Sequence, residues 1–317
     1  MSNACLVTGV AGFIGSHLAE RLVREGYRVV GVDCFTSYYP RPVKEANLSW
    51  LRGQRAFRFR ELDLCSADLE TLLAEEGIEV IFHQAAQAGV RSSWGREFVT
   101  YTQNNVLATQ RLLEAARAHG VRRFVYASSS SVYGDCPDLP ARESALPQPI
   151  SPYGVTKLAA EHLCRLYYTS FGVPTISLRY FTVYGPRQRP DMAFHRFIRA
   201  LLHGDVLPIY GDGEQTRDFT FVADVVEANL LAMRSDLGGA VLNIGGGSRV
   251  SLNEVVELLG KITGRPVRLD RSQPQHGDVR HTWADTSLAR RLLGYAPRWD
   301  LETGLRAEVE WLVEMER

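Results

Sequence analysis

Leu6-Val7-Thr8-Gly9-Val10-Ala11-Gly12-Phe13-Ile14-Gly15 constrains this chain more than any other stretch. An apolar, β-prone run from Ala4 to Thr8 meets glycines spaced three apart, and an amphipathic helical pattern follows from about Phe13 to Arg24. A strand, a glycine turn and a helix in so few residues open a β–α–β unit. Such units require right-handed crossovers and a parallel sheet covered on both faces. Glycines permit the tight turn and let backbone approach a pyrophosphate seated on the helix N-terminus.

The pattern then repeats. Strands read at Arg28 to Asp33, Ala56 to Arg60, Val80 to His83, Phe124 to Ala127 and Thr175 to Leu178. Helices read at Val43 to Leu51, at Asp68 to Glu75, in a long segment ending near His119, and from about Tyr153. This is an α/β chain with a Rossmann-type doubly wound parallel sheet. After about Arg179 the rhythm changes. Gly185-Pro186 and Arg189-Pro190 break the chain, a short strand spans Leu207 to Tyr210, and helices read near 222–234, 252–263, 286–293 and 302–315. We therefore expect residues 1–180 to form a dinucleotide-binding domain, with a return to its sheet around 218–245. Residues 181–317 form a smaller mixed α/β substrate lobe.

Asp33 ends the second strand, 18 residues past Gly15. A carboxylate there accepts from adenosine ribose hydroxyls and repels a 2′-phosphate, which favours NAD over NADP. Glycine spacing alone also fits an ordinary strand–helix turn; the strand, the helix and Asp33 together carry the reading. Gly9, Gly12, Phe13, Ile14 and Gly15 would then line the phosphates, and Asp63-Leu64 after the third strand would meet the adenine.

Composition narrows the partners. Basic and acidic residues balance at 36 each, with no basic run, against a nucleic-acid partner. No apolar stretch is long enough to span a membrane, and Met1-Ser2-Asn3 runs straight into the first strand without room for a signal peptide. Cys5, Cys34, Cys65, Cys136 and Cys164 are odd in number and unpaired in spacing. They argue against a disulfide framework or a zinc site and fit a reducing cytoplasm. His83, His195 and His276 stand isolated and read as packed or surface residues rather than ligands, so no metal is expected. Among the 36 basic residues only Lys44, Lys157 and Lys261 are lysines, so this chain uses Arg by default.

Lys157 follows Tyr153 by four residues in Ser151-Pro152-Tyr153-Gly154-Val155-Thr156-Lys157. If Tyr153 opens a helix, the two share one face. Taken alone this is also an ordinary exposed helical pair. Behind a dinucleotide loop it is a phenol and an ammonium at a redox site. The cation, with the positive nicotinamide of NAD+, lowers the phenol pKa from near 10 toward a working base. Lys157 also reaches the nicotinamide ribose. The run Ser128-Ser129-Ser130-Ser131 leaves the fifth strand at its C-terminal edge, where a parallel sheet presents hydroxyls to a ligand.

With these motifs the sequence resembles the extended short-chain dehydrogenase/reductases, and among them the nucleotide-sugar 4-epimerases. The marks span the chain: Gly9-x-x-Gly12-x-x-Gly15, Asp33, His83-Gln84-Ala85-Ala86, Asn104-Asn105-Val106, Ser128 to Gly134, Tyr153-x-x-x-Lys157, Leu178-Arg179-Tyr180-Phe181, Arg217-Asp218-Phe219 and Trp283-Ala284-Asp285. The resemblance implies a tightly held NAD recycled at each turnover, with Ala85, Ala86, Asn105 and Tyr180 joining the cofactor site. It implies Tyr153 as the base at the sugar 4-hydroxyl, Ser129 as a hydroxyl bonded to the same oxygen, and Lys157 as their partner. The 4-keto sugar then rotates and is reduced on its other face. It also implies an anchor for the nucleotide diphosphate in the second lobe, at Arg189 to Met192, Pro208 to Tyr210, Arg217 and Asp278. The family's usual Arg before the Gly-Asp is Gln275 here, with Arg280 or Arg271 as substitutes.

Related dehydratases and decarboxylases carry Asp and Glu, or Glu alone, where this chain has Ser130 and Ser131. Neither hydroxyl titrates usefully, which argues against both side reactions. With Thr182 they form a set of donors for a C6 carboxylate, aided by Arg91 or Arg189. Ser37-Tyr38-Tyr39, Gln87 to Arg91 and Phe181 to Met192 look most like UDP-glucuronate 4-epimerases. A UDP-glucose 4-epimerase, whose hydroxyls would face a neutral CH2OH, is the alternative. A non-catalytic NAD-binding regulator is a third reading, disfavoured because Tyr153, Lys157 and Ser129 are all present. The resemblance further implies a homodimer through the helices near 94–118 and 154–171.

Overall fold

The structure is a computed structural model that describes residues 4–273 and 275–316. Met1-Ser2-Asn3, expected to lead into the first strand, lie outside the described residues. The first half runs β1 (Ala4–Thr8), α1 (Phe13–Arg24), β2 (Arg28–Asp33), α2 (Arg41–Asn47), α3 (Ser49–Arg52), β3 (Phe57–Glu61), α4 (Leu69–Glu75), β4 (Val80–His83), α5 (Phe98–Tyr101), α6 (Ala108–His119), β5 (Arg123–Ser129), α7 (Pro152–Phe171) and β6 (Thr175–Tyr180). The second half runs β7 (Val183–Tyr184), α8 (Ala193–His203), β8 (Leu207–Tyr210), β9 (Thr216–Asp218), β10 (Thr220–Phe221), α9 (Val222–Arg234), β11 (Ala240–Ile244), β12 (Arg249–Ser251), α10 (Leu252–Thr263), β13 (Leu269–Ser272), α11 (Ser287–Leu293) and α12 (Leu301–Met315).

Seven strands form one parallel sheet in the order β3-β2-β1-β4-β5-β6-β11. It is the Rossmann-like fold that the alternating pattern predicts. Alternate side chains of β1 feed opposite faces: Cys5 and Val7 join one core, Ala4 and Leu6 the other. Burying each such Leu or Val is worth about 1.5–3 kcal/mol, and this drives β1 to the sheet centre. The strand order reverses between β1 and β4. That switch point opens a crevice above the C-terminal ends of the strands.

β11 pairs with β6, and α9 packs on α1, so this part of the second half completes the sheet layer. The remainder carries smaller sheets and helices that share one buried core with the sheet layer. There β13 lies parallel to β8, β12 antiparallel to β9, and α10 and α12 pack on α8.

Three elements differ from the sequence reading. The helix expected over Val43 to Leu51 is two short helices, broken at Leu48 (φ −95°, ψ −5°). Leu48 is fully buried, and Asn47 donates to the Ala11 carbonyl at 3.0 Å, so tertiary contacts override helical continuity there. The long helix before His119 contains a π-helical stretch, Thr102–Leu107. β5 runs on through Ser128 and Ser129, and Ser130–Val132 then turn as a 3-10 segment. The four serines therefore belong to two conformations.

Candidate active site

The phosphate loop is built by contacts that exclude any side chain. A Cβ on Gly15 would sit 2.2 Å from the Gly9 carbonyl oxygen, and one on Gly9, at φ +67°, 2.8 Å from Ala85 backbone. Gly12 caps α1 with no side-chain hydrogen bond, so the first-turn N–H groups remain free for an anion. Asp33 accepts from the Ala11 N–H at 3.1 Å and from the Phe35 N–H at 2.9 Å, which turns its carboxylate toward the loop. Burial pushes its carboxyl up, opposed by these N–H bonds and the Lys44 charge. The cradle and the acid fit a dinucleotide that carries an unphosphorylated ribose.

A cavity of about 210 Å³ runs from this loop to the end of β5. Gly9, Gly12, Phe13, Ile14, Gly15, Asp33, Asp63, Leu64, Ala85, Ala86, Tyr153, Lys157, Tyr180 and Arg189 line it. Asn104 lines it as well, whereas Asn105 stands behind the wall. Asn105 is buried, accepts from the Gln87 N–H at 2.7 Å, and donates to the Gln87 carbonyl and to Thr156 Oγ1, each at 3.0 Å. It fastens the loop after β4 to α7 beside Lys157, and the π-helical stretch is what turns it there.

His83 fastens the same loop from the other side. Thr109 Oγ1 donates to the Asn105 carbonyl at 2.6 Å, so it can only accept from His83 Nε2 at 2.9 Å. Nε2 therefore carries the proton, and Nδ1 accepts from Thr8 Oγ1 at 2.8 Å. Thr8 Oγ1 in turn accepts from the Ala85 N–H at 3.1 Å. Burial, with the Lys157 charge, pushes the imidazole down to about 3, so it stays neutral. His83 is a structural relay, not a ligand.

α7 carries the residues that the sequence reading makes catalytic. Ser151 caps it by accepting from the Gly154 N–H at 3.1 Å, and Pro152 occupies its first turn. Tyr153, Lys157 and Glu161 follow at four-residue intervals on one side. Glu161 and Arg179 form a buried two-point pair at 3.0 and 2.6 Å, and Ser128 Oγ donates to Glu161 at 2.6 Å. This pair fixes α7 against β5 and β6. Ser129 caps the 3-10 turn through the Ser131 N–H, and its hydroxyl is near enough to the Tyr153 phenol to favour the phenolate.

Burial pushes the Tyr153 phenol up, opposed by the Ser129 hydrogen bond and then by the Arg189 charge. Burial also lowers Lys157 to about 7, and its ammonium lies 4.5 Å over the Tyr126 ring. The sequence reading expects a nearby ammonium and the positive nicotinamide to lower the phenol; among the polypeptide's own groups the lowering influences on Tyr153 are Ser129 and Arg189. The positive nicotinamide is the remaining influence that the sequence reading invoked.

The substrate candidates fall in three places. Ser130, Ser131 and Thr182 are half-buried beside β5 and β6, and their side-chain hydroxyls have no hydrogen-bond partner among the described residues. Arg91, Tyr210, Arg217 and Asp278 gather between the lobes. Arg91 bonds Asp278 at 2.6 Å and lies 4.2 Å over the Tyr210 ring. Arg217 donates to the Val279 and Arg280 carbonyls. Arg189 pairs with Asp191 through two bonds of 3.0 Å, and Met192 caps α8 without a side-chain bond. The Gln275 side chain donates to the Gln273 carbonyl at 3.3 Å, while Arg280 and Arg271 are both held by Asp212. Neither arginine reaches the Gln275 position in this structure.

Sequence reasoning missed Lys44, which lines the cavity and donates to Thr36 O at 2.6 Å and Thr36 Oγ1 at 3.2 Å. It also missed Arg196, whose guanidinium lies 6.0 Å from the centre of the Tyr210 ring that Arg91 also covers. The scarcity of lysine was a signal for the first; nothing local marked the second.

Residues 5–245 match the model of the NAD dependent epimerase/dehydratase family. The chain belongs to that family. An uncharacterized UDP-glucose epimerase of Bacillus subtilis is 48% identical across 97% of both chains. A UDP-glucuronate 4-epimerase of Thermodesulfobacterium geofontis is 38% identical across 98% of this chain and 96% of its own. The crystal structure of the Bacillus cereus UDP-glucuronic acid 4-epimerase, bound to UDP-glucuronic acid and NAD, superposes with a TM-score of 0.95 at 44% identity. It covers 98% of this chain and 99% of that one. Epimerases are isomerases, and NAD is the cofactor to which this loop and acid are fitted.

Proposed function

We propose that this chain is a UDP-glucuronate 4-epimerase that interconverts UDP-glucuronate and UDP-galacturonate. Residues 1–180, with the return at 218–245, hold NAD, and residues 181–317 hold the sugar nucleotide. The observation that carries the choice of sugar is the set of hydroxyls on Ser130, Ser131 and Thr182 without partners among the described residues, the first two at positions where related dehydratases and decarboxylases carry an acid. NAD supplies the oxidising power at C4 and gives it back. Every other task falls to side chains.

Tyr153 takes the proton of the 4-hydroxyl, with Ser129 bonded to the same oxygen. Lys157 and Asp33 hold the two riboses. Oxidation at C4 makes the uronate a β-keto acid, which loses CO2 when its carboxylate stands perpendicular to the carbonyl plane. Short hydroxyls on a strand end and a 3-10 turn hold that carboxylate away from this orientation. The diphosphate stays anchored by the Arg91, Arg196 and Arg217 cluster while the sugar turns over and is reduced on its other face.

UDP-glucose is the second reading, favoured by the Bacillus subtilis relative; there the same hydroxyls face CH2OH. Purified protein given UDP-glucuronate or UDP-glucose without added NAD separates the two. No UDP-galacturonate beside rapid UDP-galactose would sink the uronate reading. Tyr153→Phe should keep its NAD and lose at least 1,000-fold in turnover (roughly the worth of a positioned base), whereas a regulatory NAD-binding protein would be indifferent.

The cell compartment we assign is the cytoplasm, supported by five free cysteines. No described helix is long and apolar enough to cross a membrane. We assign a homodimer on the outer faces of α5 to α7. Phe98, Val99, Leu107, Val155, Leu166 and Phe171 are exposed there, an apolar stripe that a second copy would cover.

A further inference from the structure

The segment Gly185 to Met192 carries Arg189 into the site, and both lobes hold it. His17 Nε2 lies 2.8 Å from the Pro186 carbonyl, Arg187 donates to Glu20 at 2.6 Å, and the Gly185 N–H donates to buried Glu308 at 2.8 Å. His17 and Glu20 lie on α1, whose N-terminus is the phosphate loop. Arg189 therefore enters the cavity from a backbone fixed on two sides, and its charge is felt at Tyr153.

Its guanidinium is already occupied. Nε and Nη2 donate to the two oxygens of Asp191, each at 3.0 Å. Asp191 Oδ2 also accepts from the Tyr38 hydroxyl at 3.2 Å, and Tyr38 comes from the loop between β2 and α2. Space for Tyr38 is made by Gly89 at φ +104°, where a Cβ would lie 2.3 Å from the tyrosine oxygen. Burial works against ionisation of Asp191, but the Arg189 charge and fork, with Tyr38, hold it below the usual carboxylate range. A fixed, ionised carboxylate thus sits on the fork beside the catalytic phenol.

A two-point guanidinium pair is the geometry that a substrate carboxylate would seek. We infer that Asp191 is a place-holder for the substrate's carboxylate, and so a specificity-determining residue. A uronate competes with Asp191 for the Arg189 fork; a neutral hydroxymethyl group has neither the charge nor the second oxygen to do so. When a neutral sugar is bound, Arg189 stays paired with Asp191 rather than standing as an uncompensated cation beside Tyr153. Asp191 thereby sets how far a carboxylate must outbid an internal one. This inference rests on the uronate reading.

The test uses NAD-loaded protein in a Tyr153→Phe background, so that binding is read without turnover. Dissociation constants for UDP-glucuronate and UDP-glucose are measured by calorimetry with Asp191 and with Asp191→Asn. Asparagine keeps the shape and removes the charge. The preference for UDP-glucuronate over UDP-glucose should rise roughly threefold to fivefold, as expected when a partly exposed ion pair no longer competes. Tyr38→Phe, which keeps the charge of Asp191 but removes its hydroxyl donor, should move the ratio the same way by less. Retained NAD reports that each variant is folded. An unchanged ratio, or one that falls because Asp191 in fact positions Arg189, overturns the inference. Wild-type protein that makes no UDP-galacturonate sinks the uronate reading and this inference with it. Wild-type protein that makes it, beside an unmoved ratio, sinks this inference alone.

Discussion

Replacing Lys157 with Met should stabilise the fold while abolishing turnover. Lys157 is 3% exposed and its pKa falls from an ordinary 10.5 to about 7, chiefly through burial; Cys164 and Glu161 oppose the fall. At 1.36 kcal/mol per pH unit, that displacement is worth roughly 5 kcal/mol at most. The unfolded lysine holds its proton below 10.5, and the folded one only below about 7. Folding therefore releases a proton between these limits, and wild-type stability rises with pH across the window. The penalty is complete at and below about pH 7 and vanishes above 10.5. Methionine carries no such penalty but gives up the contact over Tyr126, worth about 1–2 kcal/mol. The expected net gain for NAD-stripped protein is about 3 kcal/mol near pH 7. At about 2 °C per kcal/mol in a chain of this size this is roughly 6 °C in Tm. By pH 9.5 the gap should close to within about 1 kcal/mol, because little of the window remains. Thermal and urea unfolding of both proteins at the two pH values measure it. A variant no more stable than wild type near pH 7, or a gap that does not shrink with pH, would refute the reasoning that this lysine is held at a cost for function.

Gly15→Ala should give folded protein without dinucleotide, because the new Cβ meets the Gly9 carbonyl at 2.2 Å and forces the phosphate loop open; the absorbance ratio at 260 and 280 nm of purified protein reads it, and a normal NAD content would contradict the geometry. The His83 ring should remain the neutral Nε2–H tautomer from pH 8 down to about pH 4, since its pKa is near 3 and its Nε2 proton is committed to Thr109. Nitrogen-15 NMR of the imidazole distinguishes the tautomers, and titration near pH 6.5 would show that the relay is not closed.

What was legible in the sequence follows from how local each cause is. The glycine loop, Asp33 and the Tyr153–Lys157 spacing depend on one turn of backbone, and the structure brings them to one cavity. The alternation of buried strands with amphipathic helices foretold the parallel sheet for the same reason. Long-range causes left no local mark. The helix break at Leu48 comes from Asn47 reaching the Ala11 carbonyl, and the π-helical stretch from what Asn105 must clasp on α7. The serine run reads as one feature in sequence and divides by partner in space: Ser128 belongs to the Glu161–Arg179 pair, Ser129 to Tyr153, and Ser130 and Ser131 to neither. Asp191 beside Arg189 resembles an ordinary surface pair until Tyr38, from a distant loop, is seen to hold it.

Lysine usage is the intermediate case. In a chain that defaults to Arg, two of the three lysines line the cavity. Lys44 directs donors at Thr36 O and Thr36 Oγ1 while its ammonium lies 4.6 Å over the Tyr39 ring, close enough to Asp33 to oppose its protonation. A compact cation can direct its donors in three dimensions; a planar guanidinium spreads its donors in one plane. The composition thus marks where the cavity demands a point charge, and only the fold shows that both such points line the same cavity.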